Sequence, residues 1–172
     1  AEPAPIPEII VQSLNRTGIE DNYTTEGEIR LSELRGDVII LDLLAHDCSN
    51  CHAVQAHLEE YMDEWKQTAD ENGVGFHIVG YGAWYQESLE YLNESGGEYT
   101  VPLYPTGLGS TESAVLEDGS TTDPVKLFTT AGTGQIPGVV VIDVEGCLVE
   151  RQATGTRIGG WGEFDSSVAK AL

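Results

Sequence analysis

The chain has 172 residues, of which 40% are hydrophobic; this length and composition fit one soluble folded domain with a substantial core. Twenty-nine acidic residues against eight basic ones give a formal net charge of −21, which argues against nucleic acid or an anionic membrane as a partner. The longest apolar run, residues 38–45, is interrupted by Asp42 and is too short to cross a bilayer.

The acidic residues are spread along the whole chain rather than gathered in one block. This distribution favours a solvated surface adapted to high salt, where screening weakens the mutual repulsion of the carboxylates. Electrostatic selection of a cationic partner is the alternative interpretation of the same charge. Lysine occurs only at positions 66, 126 and 170, a scarcity that resembles proteins of halophilic archaea.

The first elements in chain order lead to a buried central strand. Residues 1–7 are proline-rich and are predicted to form an extended stub, and residues 8–14 are predicted to form a short edge strand. Residues 24–36 indicate a hairpin or turn followed by a helical turn at 31–34. Residues 37–45 are β-branched and almost continuously apolar, which is the pattern of a strand buried on both faces.

A long amphipathic helix is predicted shortly after this strand. Apolar residues recur at steps of three and four over about residues 50–72, and acidic residues occupy the opposite face. Asn72 and Gly73 are typical of a helix end. The apolar stripe consists of Val54, Leu58, Tyr61, Met62, Trp65 and Ala69.

The rest of the chain continues to mix strands and helices. The stretch 105–122 is rich in Gly, Ser, Thr and acidic residues and is predicted to be a loop or an insertion. The whole order predicts a single α/β sandwich in which helices flank a mixed sheet. The remaining predicted strands are 74–81, 101–104, 139–143 and 147–152, and the remaining predicted helices are 84–93, 123–128 and 161–172.

The segment Cys48-Ser49-Asn50-Cys51 lies between the buried strand and the long helix. Unpaired backbone N–H groups and the helix dipole at that place stabilise a thiolate. The two-residue spacer wraps one helical turn and brings the two sulfurs within disulfide reach. Cys48, nearer the helix start and expected to be the more exposed cysteine, is expected to attack a substrate disulfide, and Cys51, deeper in the turn, is expected to resolve the mixed disulfide.

Other chemistries share this spacing. Cys48 to His52 reads C-x-x-C-H, the attachment sequence of a c-type haem with His52 as axial ligand. A copper or zinc site could use the two cysteines with His46, His52 or His77. A purely structural disulfide is a further alternative, although so short a loop stabilises little by entropy. The third cysteine, Cys147, is expected to be a partly buried thiol outside the pair.

Three features of the chain resemble the thioredoxin superfamily. Asp42 lies six residues before Cys48, where thioredoxins carry a buried acid, and the resemblance implies that it accepts the proton of Cys51. Ile136 and Pro137 enter the strand 139–143 and resemble the cis-proline loop that binds substrate in this superfamily. The entry segment 28–37 is similar to that of TlpA/ResA-like extracytoplasmic thioredoxins.

Several neighbours of the pair depart from the pattern of these relatives. The relatives usually have an aromatic residue before the first cysteine and often a proline before the second, where this chain has Asp47 and Asn50. Asp47 opposes a thiolate at Cys48, whereas a charged His46 or His52 would favour it. Ser49, Asn50, His46 and His52 are therefore predicted to tune the redox potential, and the direction of electron flow does not follow from these opposing effects.

The resemblance implies a thioredoxin-like three-layer α/β sandwich over residues 26–172, with an insertion at about 85–130 before the cis-proline strand. Residues 1–25 are predicted to form an N-terminal extension. The implied function is thiol–disulfide oxidoreduction of protein disulfides, as a reductase that needs no cofactor or metal, with a haem- or metal-binding protein as the alternative.

The partners expected from the resemblance are protein disulfides or dithiols and a membrane or soluble thiol donor, and the chain is expected to be a monomer. The expected location is extracytoplasmic, with a membrane anchor in the full-length protein. The start at Ala1 rather than Met is compatible with a removed targeting or anchoring segment, and the sequence leaves a cytoplasmic location open.

Overall fold

The structure is a computed structural model that describes residues 6, 8–14, 25–45, 47–82, 101–105, 114–124, 126, 138–153 and 161–172. His46, Ile136, Pro137 and the predicted helix 84–93 lie outside the described residues. The strands are β1 (Glu8–Leu14), β2 (Thr25–Arg30), β3 (Val38–Leu44), β4 (Phe76–Gly82), β5 (Val101–Pro105), β6 (Ala114–Val115), β7 (Thr121–Thr122), β8 (Gly138–Ile142) and β9 (Leu148–Ala153). The helices are a 3-10 turn at Leu31–Leu34, α1 (Ser49–Glu71) and α2 (Gly162–Ala171).

The strands form one mixed sheet in the order β7-β6-β1-β5-β4-β3-β8-β9, and β2 pairs with β1. β3 is parallel to β4 and antiparallel to β8. All seven residues of β3 are buried, as expected for a strand that has neighbours on both edges and packed layers on both faces. The predicted central strand and the mixed α/β sheet are therefore confirmed.

Two predictions, the edge strand at 8–14 and the loop at 105–122, differ from the structure. β1 is not an edge strand, because it pairs antiparallel with both β2 and β5.

The predicted loop 105–122 contains the short hairpin of β6 and β7, whose turn carries Gly119 at φ 86°. The Asp118 carboxylate accepts hydrogen bonds from the hydroxyl and the backbone N–H of Ser120, and these bonds lower the pKa of Asp118. Strands of two residues are too short to show an alternating pattern in the sequence.

Both helices lie on the same face of the sheet. The His57 ring of α1 stacks on Trp161 at the start of α2, with 3.8 Å between ring centroids, and its Nε2 is 2.9 Å from Asp165 Oδ1. At the other end, the Asn72 side chain donates a hydrogen bond to the Leu172 carbonyl. The two helices therefore run side by side in the same direction, with α1 contacting β4 and α2 contacting β8 and β9.

Two glycines at helix ends, Gly73 after α1 and Gly162 at the start of α2, are expected to respond to alanine in opposite directions. Gly73 has φ +67° directly after the helix, a conformation that strains a residue with a Cβ. Gly162 opens α2 with an ordinary φ and has no atom within 4 Å of an added Cβ. We expect Gly73→Ala to destabilise the protein by about 1 kcal/mol and Gly162→Ala to stabilise it by about 0.5 kcal/mol. Urea unfolding of both variants measures this, and equal shifts of the two midpoints would contradict it.

Candidate active site

The two cysteines of the C-x-x-C segment lie at the start of α1. Cys48 is the N-cap residue in an extended conformation, and its backbone N–H donates to the Ala45 carbonyl at 3.3 Å. The His52 N–H donates to the Cys48 carbonyl at 3.2 Å, which begins the helix. The predicted boundary between buried strand and long helix is confirmed, and the connection between them is only four residues long.

Cys48 and Cys51 form a disulfide, with their Cα atoms 5.1 Å apart. Cys48 is half-buried, whereas Cys51 is 2% exposed, so Cys48 is the more accessible residue of the pair. The Cys51 backbone N–H donates to Cys48 Sγ at 3.1 Å. In the reduced protein the same N–H and the start of the helix would stabilise a Cys48 thiolate, and the first turn of α1 contains no acidic side chain.

Asp42 is fully buried on β3. Side chains alternate along a strand, and Ile40 and Leu44, on either side of Asp42, belong to the core cluster that contains Cys51 and Val54 of α1. The Asp42 side chain therefore lies on the face of the sheet that α1 covers. The structure brings the predicted proton acceptor and the predicted resolving cysteine to the same layer of the core.

The predicted tuning residues are placed at the surface around the helix start. Ser49 and His52 are exposed and Asn50 is half-buried. Asp47, which precedes Cys48, is exposed as well. His46, Ile136 and Pro137 lie outside the described residues, so their predicted roles stay predictions.

The other candidate residues lie apart from the disulfide. Cys147 is 5% exposed and its backbone N–H donates to Asp143 Oδ1 at 3.0 Å, in the turn between β8 and β9. His77 lies at the opposite end of the sheet, where its Nε2 is 2.7 Å from Asp37 Oδ2. Over the described ranges, no three His, Cys, Asp or Glu residues are grouped in a way that could hold a metal ion.

In the part of the chain that is described, neither α1 nor α2 is long and apolar enough to span a bilayer.

Similarity to known proteins is found at the level of structure. No protein-family model matches the sequence, and no curated protein is significantly similar to it. A candidate thiol:disulfide interchange protein DsbE from Chlorobium tepidum superposes with a TM-score of 0.65 and 17% identity, over 99% of this chain and 97% of that chain.

Two further solved structures give the same result. The thioredoxin domain of a thiol-disulfide oxidoreductase from Bacteroides vulgatus has a TM-score of 0.59 and 17% identity, over 98% of each chain. A secreted thiol-disulfide isomerase from Corynebacterium glutamicum has a TM-score of 0.60 and 14% identity, over 96% of this chain and 84% of that chain. This chain therefore has the thioredoxin-like fold, an α/β architecture in which a mixed sheet is flanked by helices, and its Cys48–Cys51 disulfide closes the junction between β3 and α1.

Proposed function

We propose that this protein is a thiol–disulfide oxidoreductase that exchanges electrons with protein disulfides through Cys48 and Cys51. The observation that carries the proposal is the disulfide at the start of α1, with one half-buried and one fully buried cysteine. This asymmetry suits a pair in which one sulfur meets the substrate and the other attacks from within. The solved structures named as thiol–disulfide proteins support the same activity.

The proposed reaction starts from the reduced pair. The Cys48 thiolate attacks one sulfur of the substrate disulfide, so that the substrate bond breaks and one substrate thiolate leaves and takes a proton from water. Cys51 then loses its proton to Asp42 and attacks the Cys48 sulfur. The mixed disulfide breaks, the second substrate thiolate takes the proton from Asp42, and the pair has passed two electrons to the substrate.

The resemblance to the thioredoxin superfamily supports a direction of electron flow, a thiol donor, a substrate-binding loop and a domain boundary. The protein acts as a reductant, a membrane or soluble thiol donor restores the pair, and the chain works as a monomer. Ile136 and Pro137 form a cis-proline loop that pairs with the substrate backbone. The catalytic domain spans residues 26–172 with an insertion at about 85–130, after an N-terminal extension.

The proposed location is outside the cytoplasmic membrane, with an anchor in the full-length protein. The supporting observations are the TlpA/ResA-like entry segment and the similarity to a Corynebacterium glutamicum protein that is described as secreted. The net charge of −21 supports a surface adapted to high salt, where carboxylates stay hydrated and their repulsion is screened.

The proposed function is tested by thiol counting together with turnover. We expect dithiothreitol to release two additional thiols, measured as the mass shift on alkylation, and the reduced protein to reduce the disulfides of insulin. Cys147→Ser serves as the control and is expected to release the same two thiols. A Soret band in the visible spectrum, or thiols that react only after metal chelation, would instead support the haem- or metal-binding alternative.

A further inference from the structure

On the face of the sheet beneath α1, β4 carries glycine in place of large side chains at the end near the disulfide. Paired residues of parallel strands point to the same face, so β3 and β4 place four rungs of paired residues under α1. The two rungs nearest the disulfide have a glycine on β4, and every residue of these two rungs is buried. From the far end, the rungs are Val38 with Phe76, Ile40 with Ile78, Asp42 with Gly80, and Leu44 with Gly82.

The position of α1 places its first turns, which contain Cys51, over the two residue pairs that include Gly80 and Gly82. The Trp65 ring lies 6.4 Å from the ring of Phe76, at the first rung. Cys51 precedes Trp65 by 14 residues, which is about 21 Å of helix at ~1.5 Å per residue. Gly80 and Gly82 lie about 13 and 20 Å beyond Phe76, at ~3.3 Å per strand residue. Since α1 runs back along β4, its first turns, with Cys51 and Val54, lie above Gly80 and Gly82.

Glycine at these positions needs a physical reason. A glycine in a strand interior destabilises a protein by roughly 0.5–1 kcal/mol relative to alanine, and buried strand positions normally carry large apolar residues, as the first two rungs do. Asp42 is 0% exposed, and its partner across the strand pair, Gly80, has no side chain to fill the space beside the carboxyl group.

We infer that Gly80 is a positioning residue, whose missing side chain leaves the space in which the Asp42 carboxyl group faces the sulfur of Cys51. The inference rests on the proposed dithiol exchange and concerns its second step. There the Cys51 S–H proton passes to Asp42, the Cys51 sulfur bonds to Cys48, and the bond between Cys48 and the substrate breaks. A methyl group at position 80 occupies the space and moves the carboxyl group or the start of α1 away.

A double-mutant cycle on the second step tests whether Gly80 acts through Asp42. We expect Asp42→Asn to slow the decay of the mixed disulfide roughly 100-fold, as the loss of a general base does, and Gly80→Ala to slow it roughly 10-fold. The combined variant should be no slower than Asp42→Asn, because both changes remove one interaction. Ile78→Val, on the neighbouring rung, is the matched control. The inference would be overturned if the slowing in the combined variant equalled the product of the two single slowing factors. It would also be overturned if Gly80→Ala slowed the first attack by Cys48 as much as it slows the decay of the mixed disulfide.

A second measurement needs no turnover. In a Cys48→Ser/Cys147→Ser background Cys51 is the only thiol, so the ultraviolet absorbance of the thiolate against pH reports its ionisation. Asp42→Asn should move this titration to lower pH, since a nearby carboxylate opposes a thiolate. Gly80→Ala should shrink that shift.

The outcomes of the titration separate the inference from the proposed function. A missing Asp42→Asn shift overturns the inference, and it is measurable even if Gly80→Ala does not fold. A shift that keeps its full size in the Gly80→Ala protein overturns it as well. If the variants show both expected titration results but the wild-type protein exchanges no disulfides, the proposed function is refuted. The inferred geometry of Asp42, Gly80 and Cys51 would still be supported.

Discussion

Cys48→Ser is expected to abolish disulfide exchange, with a loss of at least roughly 1000-fold, because a serine hydroxyl does not supply the ionised nucleophile that a thiol does. Cys51→Ser is expected to behave differently. It keeps the accessible sulfur of Cys48 but removes the buried thiol that releases the substrate, so the mixed disulfide should accumulate. Mass spectrometry of the protein after incubation with oxidised insulin measures both results.

The control for this pair of variants is Cys147→Ser. Cys147 is a buried cysteine in the turn between β8 and β9 and takes no part in the disulfide. We expect it to exchange disulfides at the wild-type rate. If Cys48→Ser trapped substrate through Cys51 instead, the roles of the two sulfurs would be reversed, and the difference in their burial would not explain the order of attack.

Trp65→Ala is expected to have the largest effect on stability, a loss of about 3–5 kcal/mol in the free energy of unfolding. Trp65 is 6% exposed and joins three elements of the core. Its ring lies 6.4 Å from the rings of both Phe76 on β4 and Phe164 on α2. Removing it takes apolar area from the core and also the edge-to-face contacts that aromatic rings add to burial.

Urea unfolding followed by circular dichroism measures the effect of Trp65→Ala. The matched control is Lys66→Ala, the next residue of α1, whose side chain is exposed; a surface substitution of this kind should change stability by less than about 0.5 kcal/mol. Equal unfolding midpoints for the two variants would show that α1 is not held to the sheet through Trp65.

The elements that could be predicted are those whose residues carry their own local pattern. β3 is almost continuously apolar, and the structure buries every residue of it. The three- and four-residue spacing of the apolar stripe placed α1 to within one residue at each end. Elements whose partners are distant in the chain were predicted less well. The pairing of β1 with both β2 and β5 depends on residues about 15 and 90 positions away, which leaves no local sign in the strand itself.

The same division applies to the candidate active site. The spacing of Cys48 and Cys51 between a strand pattern and a helix pattern was visible in the sequence, and so was an acid in an apolar run at Asp42. The expected order of burial, with Cys51 below and Cys48 nearer the surface, is confirmed, and its physical cause is how α1 lies on the sheet. The glycines opposite Asp42 and Leu44 had no visible role, because a lone glycine in a strand pattern indicates only a bulge or a close approach.

The sequence by itself determined where the redox pair lies along the chain and which elements adjoin it, because hydrophobic periodicity and helix-end residues are local properties of the polypeptide. Only the tertiary structure decided what lies beneath the pair. The register that sets Asp42 opposite Gly80 arises between β3 and β4, nearly 40 residues apart in the chain. Strand register of this kind depends on which faces of the two strands are buried together, which neither strand shows alone.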